Sequence, residues 1–493
     1  MILIAFTLTT AVAIALIAFS HANRRMNAVT VAQGLVFGAI TLSALLASPI
    51  PITSFIVGSE FFSIDHLAIY EVLIAIVVFT LSAIYAGGYV ESLIASGELE
   101  KGSLRLFYGA WSLLLLIVVL AFCSDNLALF WIFAEMTTII SAMLIAVLSA
   151  KETIDAAIKY IFVASTAMLF SFAGFIFLFE ISREYIGEGT LNWTVLMQHA
   201  SAFPSGMMVA SFALVFIGFA AKSGIFPFHT WLPEAHAKAP SAVSAVLSGV
   251  LLNVGIYAII RMVALVHQTP AVAIVSPLLM LFGLLTIAIA AFSMLPQRNL
   301  KKFIAFSSIE NMGILLVGLA IATPVALFWV IFHIMAHAFT KASLFLSAGI
   351  LHRQYHSKFS GDAPDEIRDV FRFQPLAAWC TIIGGLAIIG IPLFPIFFSK
   401  LFILLQLGGV SLWLLLVALA LLFIAAGALG NFVITSFSQV SSPGAPSDIE
   451  QYVTPLVMKV PVILLIVLII ALGIFFPPGE IGFINQIVTE LRF

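Results

Sequence analysis

The feature that most constrains this chain is the recurrence of apolar runs, each about 20 residues long, from one end to the other. A helix of about 20 apolar residues spans the hydrocarbon core of a bilayer. Of the 493 residues, 62% are hydrophobic and only 9% are charged, whereas soluble domains carry about 25% charged residues. No soluble block interrupts the runs. The sequence therefore predicts an all-α, polytopic membrane protein with a single membrane domain, residues 1–493.

The apolar runs predict about fourteen transmembrane helices. They cover roughly residues 2–20, 28–49, 64–89, 105–122, 126–149, 155–181, 206–238, 241–265, 271–296, 300–322, 324–350, 374–407, 408–434 and 455–476.

The seventh and twelfth spans are too long for one straight helix. Residues 206–238, a stretch of 33 residues, would extend about 50 Å against a hydrocarbon core of about 30 Å. Both spans contain glycine and proline breakers, which are Gly224 and Pro227 in one and Gly390, Pro392 and Pro395 in the other. We interpret both as broken helices, which survive at membrane depth only inside protein or beside a wet cavity. A matched pair in two halves of a chain is typical of transporters with internal repeats.

Charge placement predicts the orientation. Arg24 and Arg25 follow the first apolar run, whereas a signal peptide has its positive charge before that run. With both the N-terminus and the C-terminus outside, 15 of the 21 lysines and arginines fall in inside loops, as the positive-inside rule requires. The sequence thus predicts a multi-pass protein of the plasma membrane. The most charged loop, residues 352–373, is predicted to touch a neighbouring subunit or the membrane surface.

Composition excludes several kinds of function. The net charge of −2 gives no argument for nucleic acid, and two cysteines supply no iron–sulfur or zinc ligand set. The stretch HTWLPEAH lacks the HExxH spacing of a metalloprotease. We therefore expect no cofactor, no metal and no catalysis in this chain, so any redox chemistry belongs to another subunit.

Four ionisable residues lie inside apolar spans: Glu135, Lys222, Lys341 and Lys400. Each ionised group near the bilayer centre costs about 2.5–3.5 kcal/mol even on the lenient insertion scale. Snorkelling to the interface is the alternative for a lysine near a helix end. Glu135 has no lysine partner on its own helix, so Lys222 is its natural partner. This pair is either a fixed lock between helices or a switch that opens, and the sequence leaves both readings open.

His333, His337 and Lys341 form one stripe, because successive steps of four residues advance about 6 Å and turn only about 40°. A metal site lacks a third ligand in the sequence, and simple packing is the other alternative. We favour a proton wire, since histidine changes its charge near neutral pH.

Four further polar residues are candidate accessory groups for translocation. His229 follows the first break, Ser248 and Asn253 are the polar residues of SAVLSGVLLNVGIY, and Glu71 lies near the start of the third span. Ser248 and Asn253 can relay hydrogen bonds but cannot store charge.

Several long motifs carry a resemblance to a known family. They are FWIFAEM, KSGIFPFHTWLPEAHAKAPSAVSAVLSG, LKKFIAFSSIENMG, HAFTKASLFLSAG and GIPLFPIFFSK. With these motifs the chain resembles the antiporter-like, proton-translocating subunits shared by respiratory complex I, group 4 membrane-bound hydrogenases (hydrogenase-4 component F type) and Mrp sodium/proton antiporters.

The resemblance implies a fold of fourteen helices with two inverted five-helix repeats, 105–265 and 271–434. It also implies a hydrated mid-membrane axis from Glu135 through Lys222 and the histidine stripe to Lys400, with an ion pair between Glu135 and Lys222. One departure is Asn253, where many relatives carry a lysine, and LLNVGIY is closer to the hydrogenase-4 type.

The expected function is that of an ion-translocating subunit, for H⁺ or for Na⁺/H⁺, in a redox-driven respiratory complex of the membrane-bound hydrogenase or complex I type. The alternatives are a subunit of an Mrp-type secondary Na⁺/H⁺ antiporter and a lone transporter of an organic solute. The expected partners are other membrane subunits, including further antiporter-like or small antiporter subunits, and the lipid bilayer. The sequence does not identify the ion, the parent complex or the direction and stoichiometry of coupling.

Overall fold

The computed structural model describes residues 2–47, 61–355, 369–438 and 451–493. These residues are almost entirely helical, and their only β contacts are two isolated bridges. Most of the charged loop 352–373 lies outside the described residues, so its predicted surface contact stays a prediction.

The described residues up to His267 form eleven helices. They are α1 (Ile2–Ala18), α2 (Asn23–Ala47), α3 (His66–Ala95), α4 (Leu104–Phe122), α5 (Leu127–Ile145), α6 (Lys151–Ile186), α7 (Trp193–His199), α8 (Ser205–Lys222), α9 (Trp231–Lys238), α10 (Ser241–Val246) and α11 (Leu252–His267). A π-helical turn, Leu247–Leu251, joins α10 to α11 into one continuous helix.

The second half forms nine described helices. They are α12 (Val272–Met294), α13 (Leu300–Ile321), α14 (Pro324–Tyr355), α15 (Val370–Phe373), α16 (Pro375–Ile389), α17 (Pro395–Val410), α18 (Leu412–Phe437), α19 (Leu456–Ile474) and α20 (Pro478–Glu490).

The structure confirms a polytopic membrane fold. Within the described residues, twelve helices are long and apolar enough to cross a bilayer, and three shorter apolar helices accompany them. The shorter ones are α1 and the two halves of the predicted twelfth span, α16 and α17. The count of fourteen spans and the two five-helix repeats stay predictions.

Both predicted helix breaks are present. α8 ends at Lys222 and α9 begins only at Trp231, while α16 ends at Ile389 and α17 begins at Pro395. Each break passes through a glycine in the left-handed region, with φ of +67° at Gly224 and +88° at Gly390. A glycine has no Cβ to oppose that conformation. The breaks therefore end each first half-helix at membrane depth.

The centre of the molecule is built from α11, α13 and α14, whose residues are almost all buried. Lipid-type surface lies on peripheral helices such as α6 and α18, where Phe162 is 71% and Phe423 81% exposed. Because lipid contact is confined to the periphery, the polar residues of the three central helices face other protein groups.

The start of α3 is fixed by a buried ion pair. Arg261 of α11 lies 2.6 Å from Asp65, and its guanidinium stacks over Trp193 at 4.3 Å and Tyr257 at 4.8 Å. The C-terminal helix α20 packs at the same end of α3, where the His66 ring lies 2.5 Å from Glu490.

Candidate ion-translocation axis

Lys222 is buried at the C-terminal end of α8, with 2% of its surface exposed. Its ammonium donates hydrogen bonds to the hydroxyls of Thr137, at 2.8 Å, and Thr138, at 2.9 Å. Both threonines belong to α5. The lysine is therefore held by neutral oxygens only, in a place where a charge without a counter-ion is costly.

The direct Glu135–Lys222 ion pair expected from the sequence does not form. Glu135 is only partly buried and accepts a hydrogen bond from the hydroxyl of Ser165 on α6. No oxygen of Glu135 lies within 4.0 Å of the Lys222 ammonium. The physical reason is competition, because Ser165 binds Oε1 of Glu135 and the two threonines bind the Lys222 ammonium. Oε2 of Glu135 has no hydrogen-bond partner among the described residues. The structure thus shows the open arrangement of the pair.

Lys341 occupies the middle of α14 and has no exposed surface. Its ammonium donates to the backbone carbonyl of Ile304, at 2.6 Å, and to the hydroxyl of Ser307, at 2.5 Å. The next residue, Ser308, hydrogen bonds to Ser248 across a distance of 2.8 Å. Helix α13 therefore links the predicted stripe to Ser248 on the side of α10 and α11.

The two histidines of the stripe are fully buried, and their rings lie nearly parallel with centroids 6.4 Å apart. His333 shares a hydrogen bond of 2.8 Å with Ser399 of α17. Neither ring nitrogen of His337 has a hydrogen-bond partner among the described residues. Unpaired polar atoms in a buried site are usually satisfied by ordered water.

Lys400 forms a buried ion pair that the sequence analysis missed. Its ammonium lies 2.9 Å and 3.1 Å from the two carboxylate oxygens of Glu310 on α13, and it also donates to the carbonyls of Ile388 and Ile389. Glu310 is 2% exposed and accepts a further bond of 2.7 Å from Asn311. Glu310 could have been found by the rule that singled out Glu135, because it is an ionisable residue inside an apolar span.

Three of the four accessory candidates are buried in the structure, and the fourth, His229, is only partly buried. Glu71 and Asn253 are both fully buried and hydrogen bonded to each other at 3.2 Å, and Ser248 lies beside Ser308. His229 sits in the turn between α8 and α9, is only partly buried and faces Phe226. It is therefore not brought into the buried axis.

One further ion pair lies at the end of α3 opposite Asp65. Arg353 of α14 is 2.5 Å from Glu98 in the loop after α3, and it also donates to the carbonyl of Ser92. Partial burial raises the pKa of Glu98, but hydrogen bonds from Arg353 and Ser96 outweigh it, so the pKa lies below its ordinary value.

A carboxyl group with a lowered pKa in the folded state adds stability above its unfolded pKa, about 4.3 for glutamate, and loses it as pH falls through the folded value. Replacing Glu98 by glutamine should therefore lower thermal stability at neutral pH and make no difference near the acid limit. The expected effect is about 1 kcal/mol or less, because solvent screens a partly exposed carboxylate. Thermal unfolding of both proteins over a pH series measures it, and a difference that grows on acidification would contradict this assignment.

The sequence and the fold match those of known proteins. The family model described as "NADH:quinone oxidoreductase/Mrp antiporter, TM" matches residues 124–425, which is more than half of the chain. The chain belongs to this family. The matched region contains Glu135, Lys222, Glu310, Lys341 and Lys400, so both helix breaks and the whole buried axis lie within it.

Individual relatives agree with this assignment. The chain is 33% identical over 437 residues to the hydrogenase-4 component F homolog of Methylacidiphilum infernorum, covering 88% of this chain and 89% of that protein. The fold matches a chain of the membrane-bound sulfane sulfur reductase, an archaeal respiratory membrane complex, with a TM-score of 0.85, 23% identity and coverage of 99% and 96%. It also matches a chain of the Mrp complex from Dietzia sp. DQ12-45-1b, with a TM-score of 0.83, 20% identity and coverage of 99% and 97%.

Proposed function

We propose that this chain is the ion-translocating, antiporter-like membrane subunit of a redox-driven respiratory complex of the membrane-bound hydrogenase type, and that it moves H⁺ or exchanges Na⁺ for H⁺. Electron transfer takes place on partner subunits, and this chain contributes the membrane route. The curated relative named hydrogenase-4 component F homolog supports this parent complex.

The observation that carries the proposal is the set of buried ionisable groups on α8, α13, α14 and α17, with the partly buried Glu135 on α5 near them. Lys341 contacts α13 at Ser307, and Lys400 contacts the same helix at Glu310. The serine pair Ser248–Ser308 extends the row towards the helices around Lys222. A structural role alone gives no reason to bury Lys222 and Lys341, since neither has a carboxylate within ion-pair distance among the described residues.

The open Glu135–Lys222 arrangement supports the switch rather than the lock. At about 4 Å and an effective dielectric constant of about 20, closing the pair would stabilise the lysine charge by about 4 kcal/mol. A charge change in a neighbouring subunit can move the partly buried Glu135 between Ser165 and Lys222. With the pair closed, Lys222 holds its proton; with the pair open, it can release the proton towards Ser248, Ser308 and Lys341.

Glu310 and Lys400 occupy the places in the second predicted repeat that Glu135 and Lys222 occupy in the first, which supports the predicted repeats. In 105–265 the carboxylate lies on the fifth span and the lysine beside the break of the seventh. In 271–434 Glu310 lies on the tenth span and Lys400 beside the break of the twelfth. The two pairs are in different states, since Glu310–Lys400 is closed and Glu135–Lys222 is open. A proton arriving from Lys341 would disturb the closed pair next.

The proposed orientation places both termini outside the plasma membrane. Lysines and arginines in or directly after the connections that follow α1, α3 and α5 support it, namely Arg24, Arg25, Lys101, Arg105 and Lys151. A reporter enzyme fused after Phe493 should lie outside the cell, and one inserted in the loop around Gly102 should lie inside. The opposite result for both reporters would show that the orientation is reversed.

The test of the function has two parts. Mass spectrometry of the mildly solubilised native assembly should find redox subunits with this chain; small antiporter subunits alone would indicate the Mrp-type alternative. In inverted vesicles, electron donor addition should then drive proton or sodium uptake that stops when the redox reaction is inhibited. Uptake driven only by an imposed ion gradient, without redox subunits, would overturn the proposal.

A further inference from the structure

A polar stripe on α3 takes no part in the axis described above. Ser82, Tyr85 and Tyr89 follow one another at helical spacing, so they lie on one face of α3. All three are at most 2% exposed, and the tyrosine rings lie 5.4 Å apart. The Tyr85 hydroxyl and Ser241, the first residue of α10, both lie against Gly349 of α14. The stripe therefore lies in the seam between α3 and α10.

Two side-chain hydroxyls on the α3 side of this seam lack protein partners. Neither the hydroxyl of Ser82 nor that of Tyr85 makes a hydrogen bond among the described residues. A buried hydroxyl without a partner costs roughly 1–3 kcal/mol, so buried polar groups of this kind are normally hydrated. The side chains alone leave the seam unsatisfied, and water molecules would complete it.

Gly349 of α14 is a point of close approach in the seam. A Cβ atom at this position would collide with the Tyr85 hydroxyl and lie 2.8 Å from Oγ of Ser241. The α-helical backbone at Gly349 does not itself require glycine, because its φ is not in the left-handed region. The glycine is therefore explained by the closeness of the two hydroxyls.

The seam leads to the axis in steps of one helical turn along α14. One turn from Gly349 is Phe345, whose ring stacks on the buried His236 at 4.6 Å. One turn further is Lys341, and each turn advances about 6 Å. Both ring nitrogens of His236 lack a partner in the described part of the chain. A titratable group without protein partners thus lies between the seam and Lys341.

The other end of the seam opens at the surface. One turn from Gly349 in the opposite direction is Arg353, which is ion-paired to Glu98. Glu98 has 37% of its side chain exposed, whereas Arg353 has 4%. The ion pair therefore forms the boundary between solvent and the buried hydroxyls.

We propose that this seam is the proton inlet of the chain, running from the Glu98–Arg353 mouth past Tyr89, Tyr85 and Ser241 to His236 and Lys341. The inference rests on the proposed function, because it assigns the supply route for the same axis. Tyr85 and Gly349 form its narrowest point. Protons move along the hydroxyls and the waters between them.

The experiment compares two seam variants in the intact complex reconstituted into liposomes. Gly349→Ala places a Cβ atom against the Tyr85 hydroxyl, and Tyr85→Phe removes that hydroxyl while keeping the ring. Each should lower proton translocation per redox turnover about tenfold, because a broken hydrogen-bonded file raises the barrier to transfer. The matched controls are Gly427→Ala on α18, where a Cβ meets nothing, and Tyr70→Phe, whose hydroxyl is also unpaired but whose ring packs on Phe483 of α20.

The outcomes separate the inlet from the function. Loss of translocation in the seam variants, with normal controls and normal assembly, supports the inlet. Normal translocation in Tyr85→Phe overturns the inlet, even if Gly349→Ala fails to assemble. If Lys222→Ala has lost translocation in the same experiment, the proposed function is still supported. If Lys222→Ala also translocates normally, the proposed axis fails together with its inlet.

Discussion

Replacing Lys222 by alanine is expected to abolish ion translocation while redox turnover in detergent continues. Lys222 is held by the neutral hydroxyls of Thr137 and Thr138, so in the proposed mechanism it is the group that exchanges its proton when Glu135 moves. Losing one proton-transfer group typically costs about 10²–10⁴-fold in rate. Redox turnover and proton uptake should be measured on the same reconstituted sample.

The matched control for this prediction is Lys302→Ala. Lys302 is a lysine near the start of α13, but its side chain is 30% exposed and ion-paired to Glu234 at 2.8 Å. The complex with Lys302→Ala should translocate ions at the normal rate. Normal translocation by Lys222→Ala would remove Lys222 from the mechanism, and equal loss in both variants would point to a general electrostatic or assembly defect.

Replacing Glu310 by alanine is expected to destabilise the protein more than any single change at Glu135. The substitution leaves Lys400 buried beside the carbonyls of Ile388 and Ile389 without its carboxylate. Breaking a buried ion pair in this way costs about 3–5 kcal/mol, whereas replacing both partners by groups of similar volume is often neutral. The double variant Glu310→Gln with Lys400→Met should therefore recover most of the lost stability.

Thermal unfolding in detergent measures both variants of this pair. Glu180→Ala serves as the control, since its pair with Arg183 is exposed on both sides and such pairs contribute about 0–1 kcal/mol. The double variant should be stable yet fail to translocate ions. If Glu310→Ala unfolds at the same temperature as Glu180→Ala, the pair does not hold α13 to α17.

Apolar run length was enough to predict the helices and their breaks. The rule that about 20 apolar residues cross a bilayer located the spans, and the excess length of 206–238 and 374–407 located both breaks. These features depend on local sequence, because the bilayer imposes the same length on every helix. The structure adds the short helices α7, α15 and α20, which are too short to be seen by that rule.

The sequence marks the ionisable residues inside the spans, but it does not identify their partners. The cost of a buried charge singled out Glu135, Lys222, Lys341 and Lys400 from sequence alone. Glu310 was missed although the same rule applies to it, and its contact with Lys400 joins residues 90 positions apart. Pairing across helices depends on packing and on competition between hydrogen bonds. That competition is why Glu135 contacts Ser165 rather than Lys222.

The α3 seam was beyond sequence reasoning for another reason. Serine and tyrosine are ordinary residues in a membrane helix, so Ser82 and Tyr85 give no signal by type. Their importance appears only when the neighbouring helices fail to supply partners for their hydroxyls. Glu71 was placed near the start of its span correctly, but its burial against Asn253 follows from the position of α11.

The central claim is that the buried lysines, histidines and serines are joined by water into one route. The most direct test is an electron cryo-microscopy map of the intact complex that resolves ordered waters. We expect water density at the unpaired nitrogens of His337, beside Ser248 and Ser308, and between Lys341 and Lys222. Apolar side chains packed without water across any of these gaps would contradict the route.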